Sequence, residues 1–235
     1  MDALIPVAVV LASYLLGSLS FAVIVSRLMG LNDPRSYGSK NPGATNVLRS
    51  GSKKAAILTL LLDAFKGWLP VAMVLAWGPG YGLGPEIAAL AGLAAFLGHL
   101  YPVFFGFVGG KGVATAVGVV IGVHGTLALA TVLSFAIVLY FSRYVSLASM
   151  VAAVFAPVFY LFGNGVAWQA TAAEVLSLSA MALLLVWRHR ENIHRLLDGK
   201  PAPAPVTSPQ ALKLAVEPQA NVRRYDQLRE VRYAS

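Results

Sequence analysis

Apolar residues dominate the chain in seven runs, 4–26, 55–77, 87–105, 113–123, 126–141, 146–162 and 171–187, separated by short polar connections. A helix needs about 20 apolar residues to cross a bilayer, so the first two runs qualify alone, whereas 113–123 is too short to cross upright. Charge decides how many cross. The connection after the first run holds Arg35, Lys40, Arg49, Lys53 and Lys54, the next (78–86) has no base, 109–112 has Lys111, the turn at His124 has none, Arg143 follows, 163–170 has none, and Arg188, Arg190 and Arg195 open the tail. Basic and base-free connections alternate throughout if all seven runs cross, and bases mark the cytoplasmic side. Joining 113–141 into one crossing would put the basic tail outside. The pattern therefore predicts two short, tilted or partly re-entrant helices turning at Gly122-Val123-His124-Gly125. The fold class predicted is all-α, a polytopic integral membrane protein of seven transmembrane helices with the N-terminus outside and the C-terminus cytoplasmic.

Composition agrees. Of 235 residues 57% are hydrophobic and 12% charged, against about 25% charged in an ordinary soluble domain. The net charge of +8 lies between apolar runs, which points to anionic lipid and not to nucleic acid. Asp2 precedes the first run in place of the basic stretch of a signal peptide, so that run is expected to be a retained span. With no cysteine, thiolate metal sites and Cys nucleophiles are excluded. Near residue 200 the composition changes to Pro-Ala-Pro-Ala-Pro. A membrane-embedded domain, 1–199, is expected to be followed by a Pro-rich linker and a basic, disordered cytoplasmic tail, 200–235.

Polar residues gather at the basic ends of the runs. In the first loop Gly38 and Gly43 let backbone N–H groups approach an oxyanion, Ser39, Thr45 and Asn46 offer neutral donors, and Arg49 offers a planar fork suited to phosphate. A Gly/Pro turn between helices with bases inside explains the loop by itself equally well. There is no G-x-x-x-x-G-K-[ST] spacing, so no nucleotide P-loop is predicted. In the second cluster Gly109, Gly110 and Gly112 surround Lys111 just before an apolar helix, an arrangement that suits an anion through free N–H groups and the helix dipole. Lys111 fits a phosphate ligand or a positive-inside anchor, and His99 fits a satisfied structural histidine. In the third cluster, if the last run stays helical, His189 and Asn192 face one side three residues apart. His189 and His194 lack a third ligand, so no metal is expected. Arg143 and Ser146 offer a cation and a hydroxyl at another basic end, where a topogenic arginine explains Arg143 as well. Asp63 and Lys66, one turn apart inside a span, are expected to pair and to support the first loop.

In chain order Gly17-Ser18, Gly38 through Arg49, Asp63-Ala-Phe-Lys-Gly67, Gly98-His99 with Gly109-Gly-Lys-Gly112, Arg143-Tyr-Val-Ser-Leu147 and His189-Arg-Glu-Asn-Ile193 closely resemble one family, the bacterial acyl-phosphate:glycerol-3-phosphate acyltransferases known as PlsY. The resemblance spans about residue 4 to 199 and leaves out the Pro-rich tail. It implies a multi-pass enzyme of the bacterial inner membrane with its site facing the cytoplasm. Such an enzyme transfers a fatty acyl group from acyl phosphate to glycerol 3-phosphate, giving lysophosphatidic acid and phosphate, the first acylation of phospholipid synthesis. It implies no cofactor, and as partners the two substrates, membrane lipid and the enzyme that supplies acyl phosphate. Ser39, Arg49, Lys111, His189 and Asn192 would form the active site, flanked by the phosphate-binding candidates Gly38, Asn41, Gly43, Thr45, Asn46, Gly109, Gly110, Gly112, Arg143 and Ser146, with Asp63, Lys66 and His99 in support.

The residue chemistry is compatible with that reading. Acyl phosphate is already activated, so positioning and charge stabilisation can suffice without an acyl-enzyme. The glycerol hydroxyl would attack directly, with His189 positioning substrate or relaying a proton. The His-x4-Asp pattern of other glycerolipid acyltransferases is absent, because the fifth residues after the four histidines are Phe104, Leu129, His194 and Gly199. A carrier of a small organic phosphate is the rival reading, but the polar clusters sit at one set of ends with no counterpart at the other. A structural membrane scaffold explains the helices but not the three clusters.

Overall fold

The structure, a computed structural model, describes residues 4–198; the expected linker and tail at 200–235 lie outside them. Every regular element described is helical: α1 Leu4–Gly17, α2 Phe21–Leu28, α3 Ala44–Val47, α4 Lys53–Trp77, α5 Pro85–Leu100, α6 Val113–Val123, α7 Gly125–Ser142, α8 Val145–Phe162, α9 Ala172–Arg188 and α10 Arg190–Leu197. The apolar runs and the helices coincide within a few residues from α4 to α9. Among the described residues four helices are long and apolar enough to cross a membrane, and counting α1 with α2 and α9 with α10 as broken spans gives six. The remaining apolar helix, α6, has 11 residues and rises only about 16 Å.

The first run is not one straight helix as expected. It breaks between α1 and α2, which meet at 45°. Ser18 Oγ folds back onto Tyr14 O at 2.9 Å, and Leu19 O is released from the helical ladder to accept from Lys66 Nζ on α4 at 2.7 Å. Lys66 also pairs with Asp63 at 2.8 Å, and Asp63 lies 3.5 Å from His99 Nδ1 on α5. All three side chains are buried. The break is thus a tertiary effect: an ammonium in the interior takes a main-chain oxygen that a continuous helix would keep for itself.

Small residues draw the helices together. A side chain at Gly17 would strike the α5 backbone at Ala95 O, and one at Gly118 on α6 would strike Ala64 O on α4. Backbone contact this close lets short α6 pack along α4. At the other end of α6 only His124 separates it from α7, as the turn expected at 122–125 requires. There the ring of His124 lies 4.7 Å from that of Trp168, whose indole N–H donates to Tyr160 O at 2.7 Å.

Candidate active site

The first loop is shaped by Asn46, which is 2% exposed. Its Oδ1 accepts from Ser39 N at 3.0 Å, and its Nδ2 donates to Pro34 O at 2.6 Å and Tyr37 O at 3.2 Å. The amide is committed to its own loop, while Ser39 and Thr45 remain exposed. Gly38 has φ +58°, and a side chain there would collide with Asn46 Oδ1 and approach Arg49 Nη1 to 3.1 Å. Arg49 therefore folds against Gly38, at the turn that follows α3. Asn41 is half-buried, and Gly43 caps α3.

The glycine loop stands directly against this one. A side chain on Gly110 would meet His99 Nε2 and lie 3.0 Å from Pro42 O. Gly110 N donates to His99 O at 3.1 Å, so the histidine that faces Asp63 on one side carries the loop on the other. Arg188, at the end of α9, grips the same loop from across the site: Nη2 donates to Gly109 O at 2.7 Å and Nε to Gly110 O at 3.2 Å. In a trans peptide the carbonyl and the following N–H point opposite ways. Pinning Gly110 O toward Arg188 therefore turns the Lys111 N–H away from Arg188, ahead of the free donors in the first turn of α6. Gly112, with φ +83°, packs against Phe96 and starts that helix.

The third cluster is bent and not continuous. α9 and α10 meet at 54° with His189 at the junction, and Asn192 N donates to His189 O at 2.8 Å. Both side chains are buried. His189 Nδ1 lies 2.8 Å from Leu185 O; a carbonyl can only accept, so Nδ1 carries the proton and Nε2 of the neutral ring is left as an acceptor. Asn192 Oδ1 accepts from Lys111 Nζ, which joins the second and third clusters. Burial, and next the charge of Arg195, hold the Lys111 ammonium down at about 8. Burial and the same Arg195 also lower Arg49. Cations have been gathered here faster than anions.

Arg49, Lys111, His189 and Asn192 thus converge, Asp63, Lys66 and His99 form a buried layer behind the glycine loop, and Arg143 stands apart. Arg143 is exposed at the end of α7 with its guanidinium 5.7 Å from the Tyr140 ring, and among the described residues neither it nor Ser146 bonds to the other clusters. Sequence reasoning treated Arg188 and Arg195 as tail bases only. Their one legible signal was a position next to His189 and one helical turn beyond Asn192.

Behind the polar groups a cavity of about 330 Å³ lies between α4, α6, α7, α8 and α9. It is lined at one end by Val113, which follows Gly112, and by Leu185, whose carbonyl faces His189, and farther along by Val120 and Leu178. Its two hydroxyls are spent on their own helices, Thr131 on Leu127 O and Ser149 on Val145 O, each at 2.8 Å. The wall is effectively hydrocarbon.

An all-helical membrane protein with convergent cations and amides above an apolar cavity has the build of an enzyme that handles phosphorylated lipid precursors. The chain belongs to the glycerol-3-phosphate acyltransferase family, whose family model matches residues 7–199. A glycerol-3-phosphate acyltransferase of Albidiferax ferrireducens is 64% identical over 199 residues, covering 85% of this chain and 89% of the relative. One of Burkholderia pseudomallei is 63% identical over 195 residues, covering 80% and 90%. Two crystal structures of PlsY, an integral membrane glycerol 3-phosphate acyltransferase, in its glycerol 3-phosphate and lysophosphatidic acid forms, align with TM-scores of 0.75 and 0.74 at 40% and 39% identity, covering 83% of this chain and 93% of theirs. The protein is thus a multi-pass membrane glycerol-3-phosphate acyltransferase of the PlsY type.

Proposed function

We propose that the acyl donor is acyl phosphate and that the products are lysophosphatidic acid and inorganic phosphate, formed at the cytoplasmic face of the bacterial inner membrane. The observation that carries this reading is the joining of Lys111 to Asn192 directly above the hydrocarbon-walled cavity. One substrate brings a fatty chain and both bring phosphate, so the site needs an apolar channel and cations at the same mouth. The acyl chain lies in the cavity, and its carbonyl and phosphate rest near Lys111 and His189. Arg49 and Lys111 hold phosphate oxygens, the N–H groups of the glycine loop and the first turn of α6 add donors, and Ser39 and Asn192 orient the reacting groups.

The 1-hydroxyl oxygen of glycerol 3-phosphate forms a bond to the acyl carbon, and the bond from that carbon to the phosphate oxygen breaks. His189 Nε2 accepts the hydroxyl hydrogen as the bond forms, and the proton leaves with the phosphate. No covalent acyl-enzyme is required, because the mixed anhydride already carries a good leaving group; catalysis is positioning and charge stabilisation. Arg143 and Ser146 serve incoming phosphate from the rim. Domain 1–199 holds all these groups. Purified protein in detergent is expected to release phosphate from acyl phosphate only when glycerol 3-phosphate is present, with lysophosphatidic acid formed in equal amount. Transfer from acyl-CoA but not from acyl phosphate would overturn the donor assignment.

The same reading sets the topology: seven crossings, N-terminus outside, with the first loop, Lys111 and His189 inside. A cysteine introduced at Ser52, beside the first loop, is expected to resist an impermeant thiol reagent in intact cells and to react after permeabilisation. Labelling from outside would reverse the orientation.

A further inference from the structure

We infer that Arg195 is a third phosphate-binding cation of the site and that it takes the phosphate of glycerol 3-phosphate. Arg195 lies on α10 three residues after Asn192, so the two share a helix face. Asn192 is the residue that accepts from Lys111 Nζ, and this face of α10 is therefore turned into the site. The neighbours of Arg195 point elsewhere: Arg190, Glu191 and His194 are exposed, and the Arg190 guanidinium sits over the Trp187 ring at 4.7 Å. A snorkelling arginine keeps its head in water or lipid headgroups. Arg195 instead buries its Nε, and among the described residues that donor has no hydrogen-bond partner and the side chain has no carboxylate in ion-pair range.

The electrostatic surroundings agree. Arg195 is the foremost charge acting on Lys111 and on Arg49, and in both cases it opposes the positive state. Bringing three cations together around a half-buried point is unfavourable in the empty protein and becomes favourable when a dianion enters. Such crowding is characteristic of binding sites more than of structural ones. The demand is also there: in the proposed reaction two phosphates, each close to doubly charged, must meet at one mouth. Arg188 commits Nε to Gly110 O and Nη2 to Gly109 O, which ties its guanidinium to the glycine loop.

The two phosphates are sorted by where the groups stand. The cavity begins at Val113 and Leu185, so the chain-bearing donor approaches from α6 and α9. Arg195 lies on the far side of Asn192 from α9, where the chain has left the last long apolar helix. A small, fully water-soluble phosphate ester arrives from that side. This assignment rests on the proposed use of acyl phosphate only for the second phosphate; binding of glycerol 3-phosphate can be read without any donor.

The test is equilibrium binding of radiolabelled glycerol 3-phosphate to purified full-length protein in detergent, for wild type, Arg195→Ala, Arg195→Lys, Arg49→Ala and Arg190→Ala. Losing a charged hydrogen bond to the ligand should weaken binding by roughly 10- to 100-fold in Arg195→Ala. Arg195→Lys should fall between, and Arg190→Ala should bind as wild type. In turnover the KM for glycerol 3-phosphate should rise while that for acyl phosphate stays, and Lys111 should titrate at higher pH once the neighbouring charge is gone. Wild-type affinity in Arg195→Ala and Arg195→Lys, alongside weakened binding in Arg49→Ala, would remove Arg195 from the site. Unchanged binding in all variants would overturn the placing of the substrate phosphate in this cluster. A raised KM for acyl phosphate alone would assign Arg195 to the other phosphate and refute the inference as stated.

Discussion

Replacing Lys111 or Arg49 by alanine is expected to lower acyl transfer by about 10²- to 10³-fold, the cost found when one preorganised donor to developing charge is removed. Both side chains are half-buried, and the other cations are already arranged around the space that either would leave. The charge-preserving swaps discriminate mechanism from topology. Lys111→Arg must fit a planar fork where an ammonium now meets Asn192 Oδ1, and Arg49→Lys must replace a guanidinium folded against Gly38. If these residues only anchored the chain on the inner side of the membrane, both swaps would be silent. A site that holds phosphate at defined angles should lose turnover in both, to a lesser extent than with alanine. The measurement is the rate of acyl transfer per amount of folded, membrane-inserted protein. Wild-type rates in both alanine variants would remove the two residues from the mechanism.

The second large effect is expected on stability. Lys66→Met deprives the buried Asp63 carboxylate of its ammonium, leaving only the His99 ring at 3.5 Å, and returns Leu19 O without a donor. Breaking one side of a buried ion pair typically costs about 3–5 kcal/mol, so Lys66→Met should unfold in detergent at a markedly lower temperature or fail to accumulate. The double variant Asp63→Asn/Lys66→Met removes both charges and is expected to recover much of the loss, because the desolvation of an isolated ion disappears with the ion. Melting monitored by the tryptophan signal or by size-exclusion recovery decides between the outcomes. Equal stability of Lys66→Met and wild type would show that the pair does not hold the break in the first span.

Which features could be read from the chain follows from the range of the forces involved. The helices from α4 to α9 were legible because each depends on a local run of apolar residues, and the turn at His124 was legible because charge alternation forces it. The glycine loops were legible because lysine and arginine among glycines and amides are locally unusual. What escaped was decided by partners distant in sequence. Nothing near Gly17-Ser18 says that the run will break there; the break depends on Lys66, 47 residues beyond Leu19. Asn46 looked like one donor among several, yet the curl of its loop brings Pro34, Tyr37 and Ser39 around its amide. Arg188 looked like one of three bases opening the tail because its targets, two glycine carbonyls, lie 78 and 79 residues earlier.

The contact between Gly118 and Ala64 O sets a limit on how this protein can vary. α6 is only three turns long, carries Lys111 at its head, and is seated on α4 through a position that admits no side chain at all. A methyl group at Gly118 would lever the whole short helix outward, and displacements near 1 Å at a reacting group can cost about 10²-fold in rate. The placing of Lys111 is therefore guarded by a hydrogen atom at a helix–helix contact. Substitutions at such a position, ordinarily interchangeable among small residues, here bear on where Lys111 stands.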